Sequence, residues 1–379
     1  MKKKYKHITI IIFIMVFISI INCSRDNTEN YKQEIKNGIV YHYNYGENDT
    51  TFALEFDSLL TINLDQDSLN LKFHDFVIDK NESIYLTEYN SRSIYKYNSD
   101  GRFERSFGSK GMGPGEFNDI MFTYIIDDTL YAAENTRRLI SRFNLSGKFI
   151  NSYSRNDEWI GKIKMLNDSI MICRYTKWDI TDSKANLVTS ISTFNNKIQK
   201  LNDCYVNLLD YKKEPHKIPL VRNHFCGMKD EVYEGIKSIN KYQLRKFNLK
   251  GDLQSVVNLS YRRQKYSEAD YKEIYPERPN DIHFNNYLKE INQCKFAFKE
   301  IYSVLDKYIF ALRYETIHCD YVLFDVFEEG KFLKTIKFYL PNIKEQEKIN
   351  SYELSFKFNN NKLYVMDHAA EVLVVYGIK

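Results

Sequence analysis

Three acids stand at one recurring place in this chain. Glu88, Glu134 and Asp367 each close a short strand-like run: Tyr-Leu-Thr-Glu88, Tyr-Ala-Ala-Glu134 and Tyr-Val-Met-Asp367. Carboxylates drawn from separate segments to one point can hold a divalent metal or share acid–base work. Arg92, Arg137 and Arg138 follow in the next turns, where they would pair with those acids or face an anionic ligand. A structural use competes with both. An acid after a strand accepts backbone N–H bonds and fixes the turn, and repetition at matching positions favours that use. Asp79 and Asp127 recur in the same way. The six residues Glu88, Arg92, Glu134, Arg137, Arg138 and Asp367 are therefore the candidate ligand face, with no catalytic residue assigned.

The remaining chemistry-bearing types lead less far. The run Gly108-Ser-Lys-Gly111-Met-Gly113-Pro114-Gly115-Glu116-Phe117 invites a phosphate test and fails it. A dinucleotide fingerprint would need glycine where Glu116 stands, no Gly-Lys-Ser/Thr follows, and Pro114 removes an amide donor. Gly111, Gly113, Pro114, Gly115, Glu116 and Phe117 read instead as a structural connecting loop. No Gly-x-Ser-x-Gly elbow, His-Glu-x-x-His or EF-hand loop occurs. The histidines are scattered; His224 with Cys226 and His318 beside Cys319 offer two ligands each, too few for zinc, so no metal and no cofactor is expected. Trp159 and Trp178 read as core residues before they read as a sugar-stacking platform.

The elements that must position these residues are written in a repeat. Phe76 to Phe107 and Ile125 to Tyr153 carry one pattern twice, and Gly101 and Gly147, like Tyr85 and Tyr131, lie 46 residues apart. A period in this range with about four short strands per unit signals a propeller blade. Asn98-Ser-Asp-Gly101 and Asn144-Leu-Ser-Gly147 supply turns with glycine where positive φ is needed. Weaker copies begin near Ile163, His224, Ile301 and Leu354. The last copy stops one strand short, which would leave an unpaired edge. Phe52–Phe56 or Leu60–Leu64 is expected to complete it. The fold class is thus all-β: a six-bladed β-propeller of four-stranded antiparallel blades, closed by an N-terminal strand, with seven blades as the rival count. Residues 260–296 break the rhythm and read as a short helical insertion, padding the rim in preference to forming a lid. The 30 tyrosines and 25 phenylalanines against two tryptophans suit aromatic wedges between blades.

Residues 1–22 set four lysines before an apolar stretch from Ile8 to Ile21, the form of a signal peptide and short for a permanent span. It ends Ile20-Ile21-Asn22-Cys23, so Cys23 is the expected lipid attachment site; an uncleaved anchor with an incidental cysteine is the alternative. Residues 23–37 then read as a lipidated tether and 38–379 as the propeller. Removal of the leader takes four lysines and no acid from a chain of net charge +4. The balance left gives no basic face for nucleic acid. The five further cysteines are widely spaced and signal no disulfide framework.

The segment Phe107–Phe117, with Ile84-Tyr85-Leu86 and Ile94-Tyr-Lys-Tyr97 before it, resembles the six-bladed β-propeller lipoproteins common in Bacteroidota, and the wider group of NHL-repeat-like and TolB-like propellers, in which a Gly-x-Gly-Pro-Gly-x-Phe segment links blades. The resemblance is clear over 76–153. It implies a lipid-anchored propeller of the cell envelope, on the periplasmic face or the surface of the outer membrane. The expected function is a binding or scaffold module for a glycan, peptide or partner protein. The alternative is a metal-dependent hydrolase or lyase of the propeller type using channel carboxylates, since the fold alone settles neither.

Overall fold

The computed structural model describes residues 30–379 apart from 65–70, 155–157, 167–168, 181–184, 196–198, 211–222, 237, 263, 266–293, 315–320, 341–353 and 369. Among the described residues the chain forms strands and no helix. Three strands precede the repeats: β1 (Tyr31–Lys36), β2 (Ile39–Asn44) and β3 (Phe56–Asn63). The first blade holds β4 (Phe73–Ile78), β5 (Ile84–Glu88), β6 (Ile94–Tyr97) and β7 (Phe103–Phe107). The second holds β8 (Phe122–Ile126), β9 (Thr129–Ala133), β10 (Leu139–Asn144) and β11 (Phe149–Ser154), and the third β12 (Glu158–Met165), β13 (Ile170–Ile180), β14 (Ala185–Asn195) and β15 (Lys200–Asp210). The fourth has β16 (His224–Met228), β17 (Glu231–Gly235), β18 (Tyr242–Asn248) and β19 (Leu253–Leu259), and the fifth β20 (Phe298–Val304), β21 (Tyr308–Arg313), β22 (Tyr321–Glu328) and β23 (Lys331–Tyr339). The sixth joins β24 (Leu354–Asn359), β25 (Lys362–Asp367) and β26 (Val372–Ile378) to β3.

There is no single core. Six buried clusters each draw side chains from two neighbouring sheets, and together they run round the ring. Tyr85, Ile94 and Phe117 meet Leu130 and Phe143 between blades one and two. Phe310, Phe324 and Phe338 meet Phe356, Val365 and Tyr376 between five and six, and Phe76 and Leu86 meet Tyr364 and Met366 where six returns to one. Alternation along each central strand feeds one wedge from each face, so these strands are apolar on both sides. The expected six-bladed ring of four-stranded antiparallel blades is what the chain forms, with two further strands added at the outer edge of the fourth.

The repeat's turn chemistry has a spatial reason as well as a conformational one. The Asn98 Oδ1 accepts from the amides of Asp100 and Arg102, and the Asn144 Oδ1 from those of Ser146 and Lys148. Gly101 and Gly147 then sit at positive φ, and a Cβ there would meet Ile62 and Phe107 of the preceding blade within 3 Å. Each turn is thereby pressed against its neighbour.

The closing strand is β3, which pairs antiparallel with β26 from Phe56↔Ile378 to Asn63↔Val372. Of the two candidate segments, the Leu60–Leu64 one lies largely in it. Part of the segment expected as tether is built into the ring. Tyr31–Lys36 is a strand, paired with β2 in a hairpin, and β2 runs parallel to β19, so blade four has six strands. Residues 44–50 continue across the edge of blade five: Asn48 and Asp49 amides donate to the Leu333 carbonyl, and the Asn48 side chain to that of Phe332. The chain then enters blade six. Alternation in Tyr31–Lys36 is weak because β1 lies outside the wedges, which is why it read as tether; β2 falls within the expected propeller. The strands of blade three, of 8, 11, 11 and 11 residues, run longer than those of the first two blades. The helical readings within 260–296 and the leader with Cys23 lie outside the described residues; the flanks of the insertion meet in a bridge between Lys265 and Cys294.

Candidate functional site

The three recurring acids sit at one end of the ring, because in each blade the start of the first strand is paired with the end of the second: Phe73↔Glu88, Phe122↔Ala133 and Leu354↔Asp367. Their carboxylates turn into their own loops. Glu88 accepts from the amides of Lys72 (2.8 Å) and Asn90 (2.9 Å) and from the Ser91 hydroxyl (2.6 Å). Burial would raise its carboxyl, but the bonds from Ser91, Lys72 and Asn90 together hold it below its ordinary value. Glu134 accepts from the Asn118 amide at 2.5 Å, and Asp367 from that of Ala370 at 3.0 Å. Such groups are acceptors committed to their own turns.

Of the three arginines, one pairs with a recurring acid as expected. Arg137 grips Glu134 and donates to the carbonyls of Met112 (2.9 Å) and Glu116 (2.6 Å), clamping the glycine-rich loop onto blade two. Arg92 and Arg138 occupy equivalent positions in blades one and two. Both occupy a left-handed turn position four residues after the acid, and Glu371 fills it in blade six. The Arg92 guanidinium lies 4.2 Å over the Tyr89 ring. In the glycine run, the Gly113 amide already binds the Glu116 carboxylate at 2.7 Å, and Phe117 is wholly buried between blades. The loop serves as its own anion site.

The chemistry gathers elsewhere. The first strands of all six blades enclose a central cavity of about 730 Å³, and none of the six candidate residues lines it. Its charged lining is Asp75, Lys164, Lys299, Glu300 and Lys357, with His74. Lys357 of blade six pairs with Asp75 of blade one at 2.8 Å and donates to the Phe76 carbonyl. Lys164 of blade three reaches past blade four to the Ile301 carbonyl of blade five at 2.9 Å, passing 5.2 Å from the Tyr302 ring centroid. Glu300 lies 3.6 Å from Lys164 and 3.5 Å from His224. Burial pulls both Lys164 and Lys299 down to about 8, and burial also lowers His74, whose Nε2 meets the Ile120 carbonyl. The walls between the charges are apolar: Val77, Phe122, Ile125, Ile163, Phe356 and Phe358 among them.

Sequence reasoning passed over these residues. The available signal was an ionisable residue inside the first strand of a blade: Lys299 in Phe-Lys-Glu-Ile, Lys357 in Ser-Phe-Lys-Phe, Asp75 in Phe-His-Asp-Phe. Trp159 and Trp178 belong to β12 and β13. Among the described residues no group of three or more His, Cys, Asp or Glu is placed to hold a metal ion.

Over residues 26–203, just under half of its length, the chain is similar to a protein family described as 6-bladed beta-propeller. The family likeness and the ring agree on the fold. A provisionally assigned exported protein of Bacteroides fragilis superposes with a TM-score of 0.53 at 10% identity, over 90% of this chain and 99% of that one. The virginiamycin B lyase of Staphylococcus aureus superposes at 0.46 with 11% identity, over 86% and 99%. At such identities the likeness speaks to the fold and not to the activity. No curated protein sequence matches the chain.

Proposed function

We propose that the protein is an extracytoplasmic binding module, held to the cell envelope by lipid at Cys23, that takes a small ligand in its central channel. One observation carries this reading: six first strands converge on a 730 Å³ cavity lined by charge and apolar surface together. Ligand sites are commonly concave, mostly apolar and of about 300–1,000 Å³, with a few placed polar groups. The leader ending at Cys23 supports the location, and the exported assignment of the structurally similar Bacteroides fragilis protein agrees with it. The recurring acids and arginines then serve as the framework of the channel mouth. The hydrolase or lyase reading had Glu88, Glu134 and Asp367 as its metal ligands, and each is committed to a turn.

The test is a thermal-shift screen of the mature protein against glycans, peptides, organic acids and divalent metals. A ligand that binds only the folded ring raises its melting temperature. Ser303 lines the cavity, and Ser303→Trp fills it without removing a charge. A shift seen in the native protein and lost in this variant is expected; an undiminished shift would place the ligand outside the channel.

A further inference from the structure

Ser355 lies in β24 and lines the central cavity. Its hydroxyl stands 2.7 Å from Nε2 of His368, in the turn that follows β25, and Nδ1 of the same ring stands 2.8 Å from the Phe73 carbonyl of blade one. A carbonyl oxygen can only accept, so Nδ1 carries the ring proton. In the neutral ring Nε2 is then an acceptor, and the Ser355 hydroxyl donates to it. A hydroxyl bonded to a base whose far side is fixed by a third group is the arrangement that makes serine a nucleophile. We infer, given that the channel admits a small molecule, that Ser355 and His368 hydrolyse small carboxylic esters there through an acyl-serine.

As the Ser355 Oγ bonds to the ester carbonyl carbon, its proton passes to His368 Nε2 and the carbonyl oxygen takes the negative charge. The C–O bond to the alcohol then breaks, and His368 returns the proton to the departing oxygen. Water repeats the sequence on the acyl-serine: its proton goes to His368, its oxygen bonds to the acyl carbon, and the freed acid restores Ser355. Lys357 is placed to meet the oxyanion. It stands two residues along β24, so its side chain leaves the strand on the same face about 6.5 Å away, and it too lines the cavity. Asp75 at 2.8 Å and the Phe76 carbonyl hold its ammonium, which leaves one of its N–H groups for the substrate. The group behind His368 sets the substrate class. A neutral carbonyl orients the ring but does not offset an imidazolium as a buried carboxylate does. The pair therefore suits an ester, with its better leaving group, and not an amide.

Treatment of the mature protein with a fluorophosphonate tests this, since a serine nucleophile attacks its phosphorus with loss of fluoride, and mass spectrometry maps the modified residue. Labelling at Ser355 is expected. Ser355→Ala should abolish it. His368→Asn keeps a donor for the Phe73 carbonyl but has no base, and should slow labelling by about a hundredfold or more. Hydrolysis of para-nitrophenyl butyrate should fall in parallel in both variants, with circular dichroism showing the ring intact. A Ser–His pair that only pins blade six to blade one would not label, so a native protein left unlabelled, or labelled elsewhere than Ser355, overturns the assignment. An undiminished rate in His368→Asn overturns the role of the histidine. No labelling, together with a thermal-shift ligand excluded by Ser303→Trp, removes the nucleophile and leaves the channel reading standing. A labelled Ser355, when no ligand responds to Ser303→Trp, keeps the nucleophile and removes the channel as the binding site.

Discussion

At the scale of single residues, the recurring acids hold their own loops, and the charged groups that line the central cavity are others, which the sequence reading passed over. Glu88, Glu134 and Asp367 were conspicuous because they repeat, and they repeat because each blade needs the same turn. The lysines do not repeat, since each faces a cavity that has no blade symmetry to preserve, so periodicity could not reveal them. Glu234 shows a third case. It is fully buried, accepts from the Asn223 side chain at 2.7 Å and stands 3.5 Å from Arg245. Burial outweighs those partners and pushes its carboxyl up to about 7. A carboxyl raised by folding binds more protons when folded than when unfolded, so stability falls as pH rises from the unfolded value to about 7 and is flat above. Glu234→Gln keeps an acceptor for Asn223 without the charge. Its melting temperature should exceed that of the native protein at pH 8 by an amount equivalent to at most about 3 kcal/mol, and the gap should close near pH 4. A gap that widens on acidification would contradict the burial argument.

At the scale of elements, the blades spanning 76–153 were legible because turn glycines and central-strand alternation are dictated within one sheet and its neighbour. The hairpin β1–β2 was not, because its partner β19 lies more than two hundred residues further on and no local pattern encodes the pairing. What holds it is a buried amide. Asn44 accepts from the Phe332 amide at 2.8 Å and donates to the carbonyls of Gly330 and Asn258 at 3.1 and 3.2 Å, joining blades four and five. Asn44→Ala strips these bonds from a buried site, and is expected to cost about 2–4 kcal/mol. Urea unfolding measures the loss, and limited proteolysis should show earlier cleavage around residues 31–49 with the rest of the ring resistant. Equal protection in both proteins would mean that the hairpin is held by something else. The exposed edge of this hairpin alternates Lys32, Glu34 and Lys36, with Glu34 bonded to both lysines, and such charges discourage a further strand from adding.

At the scale of the whole molecule, the ring count and the closing strand followed from arithmetic on the sequence, whereas the belt of residues 31–63 across blades four, five and six did not. A truncation separates the belt from the tether. Removal through residue 30 should leave a soluble monomer in size-exclusion chromatography, since every described strand remains. Removal through residue 64 takes β3 and bares β26, whose Val372-Leu-Val-Val-Tyr376 is an apolar template for another chain; oligomers or precipitate are expected. A well-behaved monomer from the longer truncation would show that β3 is dispensable. The same pairing sets a timetable. Asn63 finds Val372 only after the intervening chain has been made, and at about 5–20 residues per second that interval is roughly fifteen to sixty seconds. Throughout it β3 waits without its partner, and the ring stays open. Asp57, Ser58, Thr61 and Asn63 make up half of its eight residues, so the strand is hydrophilic enough to remain in water until β26 supplies the edge it pairs with.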